Sequence, residues 1–275
     1  MLLTIAYDGS EFHGWQKQPQ ALTVQGHLEK VMSQLFNREI LLSGTSRTDA
    51  GVHALGQRAS FRADLGIPVE KMALVINNAL CAAEGRENPA GGFAKAPVRI
   101  LKAEEMPEEF HARFSCKGKK YIYRIRDGAD GNLTMIPEEI TAFGLNMVFD
   151  RNYVYHLKDS LDTDAMNKAA RLLIGTHDFK SFEAAGGNPR QTTVRTITEA
   201  AVSRMEQGNG EIRFEVAGDG FLYNMVRILT GTLVEIGQGK RKPESIEEII
   251  KAQDRSEAGH TAPPGGLYLA EVYYG

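Results

Sequence analysis

Three features of the sequence predict an α+β fold. Short stretches that alternate apolar and polar residues are interleaved with others whose apolar residues recur at helical spacing. Up to Ala103 these run strand–helix–strand–strand–helix–strand, the order of a split βαβ, ferredoxin-like unit, an antiparallel sheet with its helices on one face. From Pro107 onward the chain again supplies strands and helices, with no detectable repeat of the first half. We therefore expect two halves, residues 1–107 and 108–275. A chain of 275 residues can bury the core of one large domain or two smaller ones.

In the first half, Leu2 to Tyr7 reads as a strand closed by the turn pair Asp8-Gly9, and Phe12, Gly14, Trp15 and Gln16 follow in a loop. Thr23 suits the N-cap of a helix to Phe36, with Val24, Leu28, Val31, Met32, Leu35 and Phe36 on one face. Strands are expected at 40–43 and 57–63, a helix from Pro68 through Leu80, a loop from Glu84 to Gly92, and a strand from Val98 to Ala103. In the second half, Lys119 to Arg126 is a strand with Tyr121, Tyr123 and Ile125 on one face, followed by a glycine-containing connection from Asp127 to Asn146. A helix capped by Asp162 or Thr163 runs to Ile174 and is stopped by Gly175. Strands Val194–Ser203 and Glu211–Val216 join through Gly208-Asn209-Gly210. Helices at 221–236 and 244–252 and a final strand from Gly266 to Tyr274 complete the chain.

Composition narrows the function. With 42% hydrophobic and 24% charged residues the chain is that of an ordinary soluble globular protein. A net charge of −3 argues only weakly against a nucleic-acid partner, because the sign of the face that meets the ligand matters more than the sum. Cys81 and Cys116 supply neither a disulfide framework nor metal-ligand spacing, which fits a reducing, cytoplasmic setting. No basic region precedes the short N-terminal apolar run, so no signal peptide is expected. The most apolar helical stretch, 221–236, carries Arg227 and Glu235 and is too short to span a bilayer.

Chemistry concentrates in Gly44-Thr45-Ser46-Arg47-Thr48-Asp49-Ala50-Gly51-Val52-His53-Ala54, small and polar residues between two expected strands. Gly44 and Gly51 let a tight turn press its main chain against a ligand. Arg47 can hold Asp49 ionised and aimed, or grip a phosphate with its planar fork. Taken alone, an Arg-x-Asp triplet is more often a screened surface pair worth ~0–1 kcal/mol. The window 111–126 contains Arg113, Lys117, Lys119, Lys120, Arg124 and Arg126 with no acid, interleaved with Phe114, Tyr121 and Tyr123. Cations hold phosphates and rings stack bases at ~1–3 kcal/mol each, so the window suits a flipped nucleotide; it equally suits an edge strand whose lysines deter aggregation. Arg227, set among Phe221, Leu222, Met225, Val226, Ile228 and Leu229, must find a carboxylate or a phosphate, because an unpaired buried charge is costly. His177-Asp178 is no coordination shell, and His13, His27 and His111 stand singly; no metal is expected.

The string 44–54 closely resembles the catalytic loop of the tRNA pseudouridine synthase A family, in which the aspartate is essential; the usual string has Ala-Gly where this chain has Thr45-Ser46, both small. The segment leading from Ala112-Arg113 to Tyr121-Ile122-Tyr123 resembles the family's second motif, whose first tyrosine packs on the target uracil, a role that carries over to Tyr121. Phe221-Leu222-Tyr223-Asn224-Met225-Val226-Arg227 resembles a third motif, whose arginine pairs with the catalytic aspartate. Asp8-Gly9 with Trp15-Gln16 resembles the N-terminal loop, which we assign to loop shape or RNA contact, and 261–269 resembles the C-terminal stretch lining the site floor. These similarities extend from Tyr7 to Tyr273.

The resemblance implies two ferredoxin-like halves forming one continuous antiparallel sheet, helices on one side and a central active-site cleft. It implies a homodimer acting on tRNA, isomerising uridine to pseudouridine at positions 38 to 40 of the anticodon stem-loop without cofactor or metal. Asp49 is then catalytic, as nucleophile or base, with Arg47, Tyr121 and Arg227 in support, and Arg113, Lys119, Lys120 and Tyr121 bind substrate. Two other functions compete. One is a non-catalytic RNA-binding protein in which Asp49 merely orders a loop. The other is a two-carboxylate glycosidic hydrolase using Asp49 with Asp178 or Asp219, which leaves the basic window idle.

Overall fold

The computed structural model describes residues 1–63, 65–85, 96–128, 148–187, 191–205 and 210–275. The connections expected at 86–92 and 129–146 and the turn at Gly208-Asn209 lie outside these. By its contacts the chain divides into residues 1–117 with 268–275, and residues 118–267, whereas the sequence places a break at 107/108. The α+β class is as predicted.

In the first unit, β1 (Leu2–Tyr7) pairs antiparallel with β3 (His53–Ser60) on one side and β4 (Val98–Glu104) on the other, the split βαβ order. The far edge of β3 is shared. At one end β2 (Ser43–Gly44) pairs antiparallel with Ser60 and Ala59; at the other, β10 (Leu267–Tyr274) pairs parallel with His53 and Ala54. The parallel β10 corrects the expectation of a purely antiparallel sheet.

The strand expected at 40–43 is likewise reduced to β2, for a reason visible in α1 (Val24–Leu35). Ile40 donates to Ser33 Oγ (2.9 Å), Leu42 donates to Glu29 Oε1 (3.0 Å), and the Leu42 carbonyl accepts from Gln25 Nε2 (3.0 Å). Helix side chains thus take the hydrogen bonds that a sheet ladder would otherwise supply, and the apolar Ile40 and Leu42 remain buried. Thr23 caps α1 through Gly26 N, and Val24, Leu28, Val31 and Met32 are buried as their spacing predicts, though Leu35 is exposed. α2 (Val69–Ala83) follows Pro68, runs three residues past the expected end, and is fastened to β4 by Asn77, whose carboxamide both donates to and accepts from the Ile100 peptide at 2.8 Å.

In the second unit, β5 (Cys116–Arg126), β9 (Ile212–Gly218), β8 (Val194–Arg204) and β7 (Gly175–Asp178) lie side by side in that order, each pair antiparallel. The short β6 (Tyr155–His156) runs parallel to β5. The helix α3 (Thr163–Arg171), capped by Asp162, ends three residues before Ile174, and Gly175, at φ +125°, opens β7 where it was expected only to stop a helix. α4 (Met225–Gly237) starts four residues later than expected because Asn224 adopts a left-handed conformation (φ +58°) before the first turn. It is the core helix, with Met225, Ile228, Leu229, Leu233, Val234 and Ile236 buried, and α5 (Ser245–Ala252) follows.

Candidate active site

The loop from Gly44 to Ala54 is shaped by close backbone approach. A Cβ on Gly14, at φ +85°, would lie 2.5 Å from the Thr48 carbonyl oxygen, and one on Gly9 would lie 2.0 Å from that of Val52. Only glycine permits such contact, so the N-terminal segment 8–15 cradles the loop. Trp15 N donates to Thr48 O (3.1 Å), and the Tyr7 hydroxyl meets Thr48 Oγ1 at 2.7 Å. Val52 N donates back to Asp49 O (3.1 Å) across Gly51, whose φ of +77° is what the third position of a reverse turn can demand. Of the two roles expected for Asp8-Gly9 with Trp15-Gln16, loop shape or RNA contact, these contacts bear on the first.

Further anchors come from β3 and the C-terminal strand. The buried Gln57 side chain accepts from Ser46 N (3.2 Å) and donates to Ser46 O (2.7 Å). Thr45 is buried; its hydroxyl donates to Ala112 O (3.0 Å) and meets Tyr274 Oη at 2.7 Å. The departure from the family's Ala-Gly therefore adds a hydrogen bond between the loop and the residue preceding Arg113. Burial pushes the Tyr274 hydroxyl up to about 12, its bond to Thr45 opposing only in part. His53 is buried, stacked on Tyr268 with ring centroids 4.7 Å apart, and its Nδ1 accepts from Gly9 N. Against these fixed neighbours, Arg47 is exposed and Asp49 half-buried. The small polar residues of the loop are buried, and solvent reaches the two residues to which chemistry is assigned.

In the second unit the basic strand differs from its sequence. Lys120 Nζ lies 2.7 Å from Glu215 and 3.9 Å from Glu199, and Arg124 donates to Glu211 through both Nε (3.0 Å) and Nη2 (2.6 Å). Arg213 also donates to Glu211, at 2.8 Å. Burial pushes the Glu211 carboxyl up, but the bonds from Arg124 and Arg213 outweigh it and hold the group below its usual range. Arg126 meets Asp150 at 2.5 Å. The window contains no acid of its own, yet its neighbours bring acids to it.

Tyr121 is buried, its ring edge-on to Phe221 at 5.1 Å. Tyr123, wholly buried, donates to Pro263 O (2.6 Å), and burial raises its hydroxyl far above the usual range. Lys119 is half-buried. In the first unit, Arg113 is exposed with its guanidinium 5.8 Å from the ring of Phe114, itself 78% exposed.

Arg227 is half-buried, donating through Nε to Ala262 O (2.7 Å) and through Nη1 to Asn224 Oδ1 (2.8 Å). The strained Asn224 thus aims the guanidinium, and the 261–266 stretch, packed on Tyr123 through Gly266, buttresses it. Asp178, by contrast, is held as a turn anchor by Lys180 N, Thr193 Oγ1 and Gln253 Nε2 at 3.1, 2.5 and 3.0 Å, and Asp219 accepts from Thr196 N (3.0 Å). This weighs against the two-carboxylate hydrolase. Among the described residues no group of three or more His, Cys, Asp or Glu is placed to hold a metal, and no helix is long and apolar enough to cross a membrane.

Motifs single out Asp49, Arg47, Tyr121 and Arg227 as candidates but not Gln57, Tyr7 and Tyr274, which hold the loop. Gln57 carried one signal: a large polar residue in the expected inward register of a strand.

The profile of the tRNA pseudouridine synthase family matches residues 3–115 and 169–275, and the chain belongs to that family. It is 42% identical over 274 residues to tRNA pseudouridine synthase A 2 of Clostridium tetani, covering 99% of this chain and 97% of that one. It is also similar to proteins named tRNA pseudouridine synthase A from Ruminiclostridium cellulolyticum (43% identical; 99% of this chain, 98% of the other) and Acetivibrio thermocellus (40%; 99% and 98%).

Proposed function

We propose that the chain isomerises uridine to pseudouridine in tRNA, with Asp49 as the catalytic group, acting at positions 38 to 40 of the anticodon stem-loop as a cytoplasmic homodimer. Family membership makes it an RNA-modifying isomerase. The observation that supports the assignment to Asp49 is its place in the loop: Thr45, Ser46 and Thr48 are buried, while Asp49 is only half-buried and opens the turn that Gly51 completes.

Breaking the bond from uracil N1 to ribose C1′ and remaking it at C5 requires a group beside both base and sugar. Asp49 serves as a nucleophile toward sugar or base, or as a base toward the ribose 2′ position, and the shared aspartate is compatible with each. Tyr121 is assigned to hold the released uracil as it turns, and Arg227 to keep Asp49 ionised. Reaching a stem uridine means flipping it, at a cost of a few kcal/mol offset by stacking and phosphate contacts. Arg47, exposed two residues from Asp49, suits the phosphate or the space the base vacates, and Arg113 with Lys119 suits phosphate contacts, while Lys120, also expected to bind substrate, is engaged by Glu215.

The test is release of tritium from tRNA labelled at uracil C5. Release by the native chain and none by Asp49→Asn, with tRNA still bound, is expected. Binding without release by the native chain would instead favour a non-catalytic RNA-binding protein.

A further inference from the structure

Gln57 is wholly buried on β3, and its carboxamide is spent on main-chain groups. The β2–β3 ladder pairs Ser43 with Ser60 and Gly44 with Ala59, and Thr45 N extends it by donating to Arg58 O (2.8 Å). At the next residue the chain leaves the strand. There the Gln57 carboxamide takes over: Oε1 accepts from Ser46 N at 3.2 Å and Nε2 donates to Ser46 O at 2.7 Å. Oε1 also accepts from Arg58 N at 3.1 Å, so two N–H donors converge on one oxygen and fix the orientation of the amide. A primary carboxamide has the donor and acceptor of a peptide unit. Gln57 therefore replaces a ladder rung at the point where the backbone must diverge to project Arg47 and Asp49.

Resting on the proposed function, we infer that Gln57 is a positioning residue for Asp49: it sets where the catalytic loop departs from the sheet, and hence where the carboxylate stands against the nucleotide. Asn77 is the natural comparison. Its carboxamide makes the same two bonds, to the Ile100 peptide, but fastens α2 to β4 away from the loop. One clamp holds the fold; the other also aims the chemistry. A small displacement of a reacting group costs on the order of a hundredfold in rate, so the two clamps separate in kinetics though not in stability.

The experiment compares Gln57→Met, Gln57→Glu and Asn77→Leu in the full chain by single-turnover tritium release, tRNA affinity and thermal unfolding. Gln57→Met is expected to lower the rate about a hundredfold with tRNA affinity within about threefold. Asn77→Leu is expected to lower the melting temperature while leaving the rate of the folded fraction unchanged. Gln57→Glu adds a pH signature. Its neutral acid offers an O–H to Ser46 O and a carbonyl to Ser46 N, whereas its ionised form has no donor. The ratio of its rate to that of the native chain should therefore be highest at acid pH and fall about tenfold per pH unit once the carboxyl ionises. Should Gln57→Met not fold, this profile decides. A flat ratio across pH, or a rate loss no larger than the loss of folded protein, overturns the positioning role. Absence of tritium release by the native chain overturns the proposed function itself, and the inference with it.

Discussion

The loop from Gly44 to Ala54 and the basic strand β5 are both dense in charge and polarity, and the fold treats them differently. In the loop, the uncharged residues Thr45, Ser46 and Thr48 are buried, whereas Arg47 is exposed and Asp49 half-buried. In β5 three of the cations meet acids: Lys120 meets Glu215, Arg124 meets Glu211 and Arg126 meets Asp150. Charge in a sequence window is thus not charge available to a ligand. Availability depends on partners distant in the chain, here at Glu211, Glu215 and Asp150.

The sharpest test of this contrast is Asp49→Asn, expected to lower turnover by on the order of 10³-fold or more with tRNA affinity little changed. A parallel loss of affinity and turnover would mean that the loop binds more than it reacts. Next is Gly14→Ala, which places a methyl group 2.5 Å from Thr48 O at a left-handed backbone position. We expect a stability loss of about 3 kcal/mol in denaturant unfolding, accompanied by a slower turnover of the folded enzyme.

On the β5 side, Glu211→Gln removes the carboxylate shared by Arg124 and Arg213 and should cost about 2 kcal/mol. Because the native carboxyl is held below its usual range, its stabilisation is fully present above the ordinary glutamate pKa. It is lost as pH falls through the lower native value. The stability gap between the native chain and Glu211→Gln should accordingly narrow on acidification, and a gap constant from pH 7 to pH 3 would contradict the ion-pair assignment.

Tyr274→Phe should cost about 1 kcal/mol by removing the hydroxyl shared among Thr45 and Ala112. That hydroxyl's pKa, raised to about 12, means its contribution persists below the ordinary tyrosine range and is lost as pH climbs toward 12. The smallest effect is expected for Glu215→Gln. Releasing Lys120 from its partner should steepen the salt dependence of tRNA affinity by up to about one unit of slope, read from binding across a salt series.

Much of this was legible in the chain. Local periodicity placed β1, α1, β4, β8 and the core helix to within a few residues, because each buries one face whose spacing is written in neighbouring positions. The string around Asp49 and the segment around Arg227 identified the family, because they depend on residue types at fixed short separations. The strand expected at 40–43 failed for the opposite reason. Its hydrogen-bonding groups are taken by Gln25, Glu29 and Ser33, side chains whose reach appears only once α1 is docked. The same holds for the Gln57 clamp, the Thr45–Tyr274 contact across 229 positions, and the acids opposite β5. Sequence alone determined the family and most of the strands and helices, since those follow from side-chain type and local spacing. Only the tertiary structure decided which charges are answered and which peptide groups are held, because both depend on distances closed by folding.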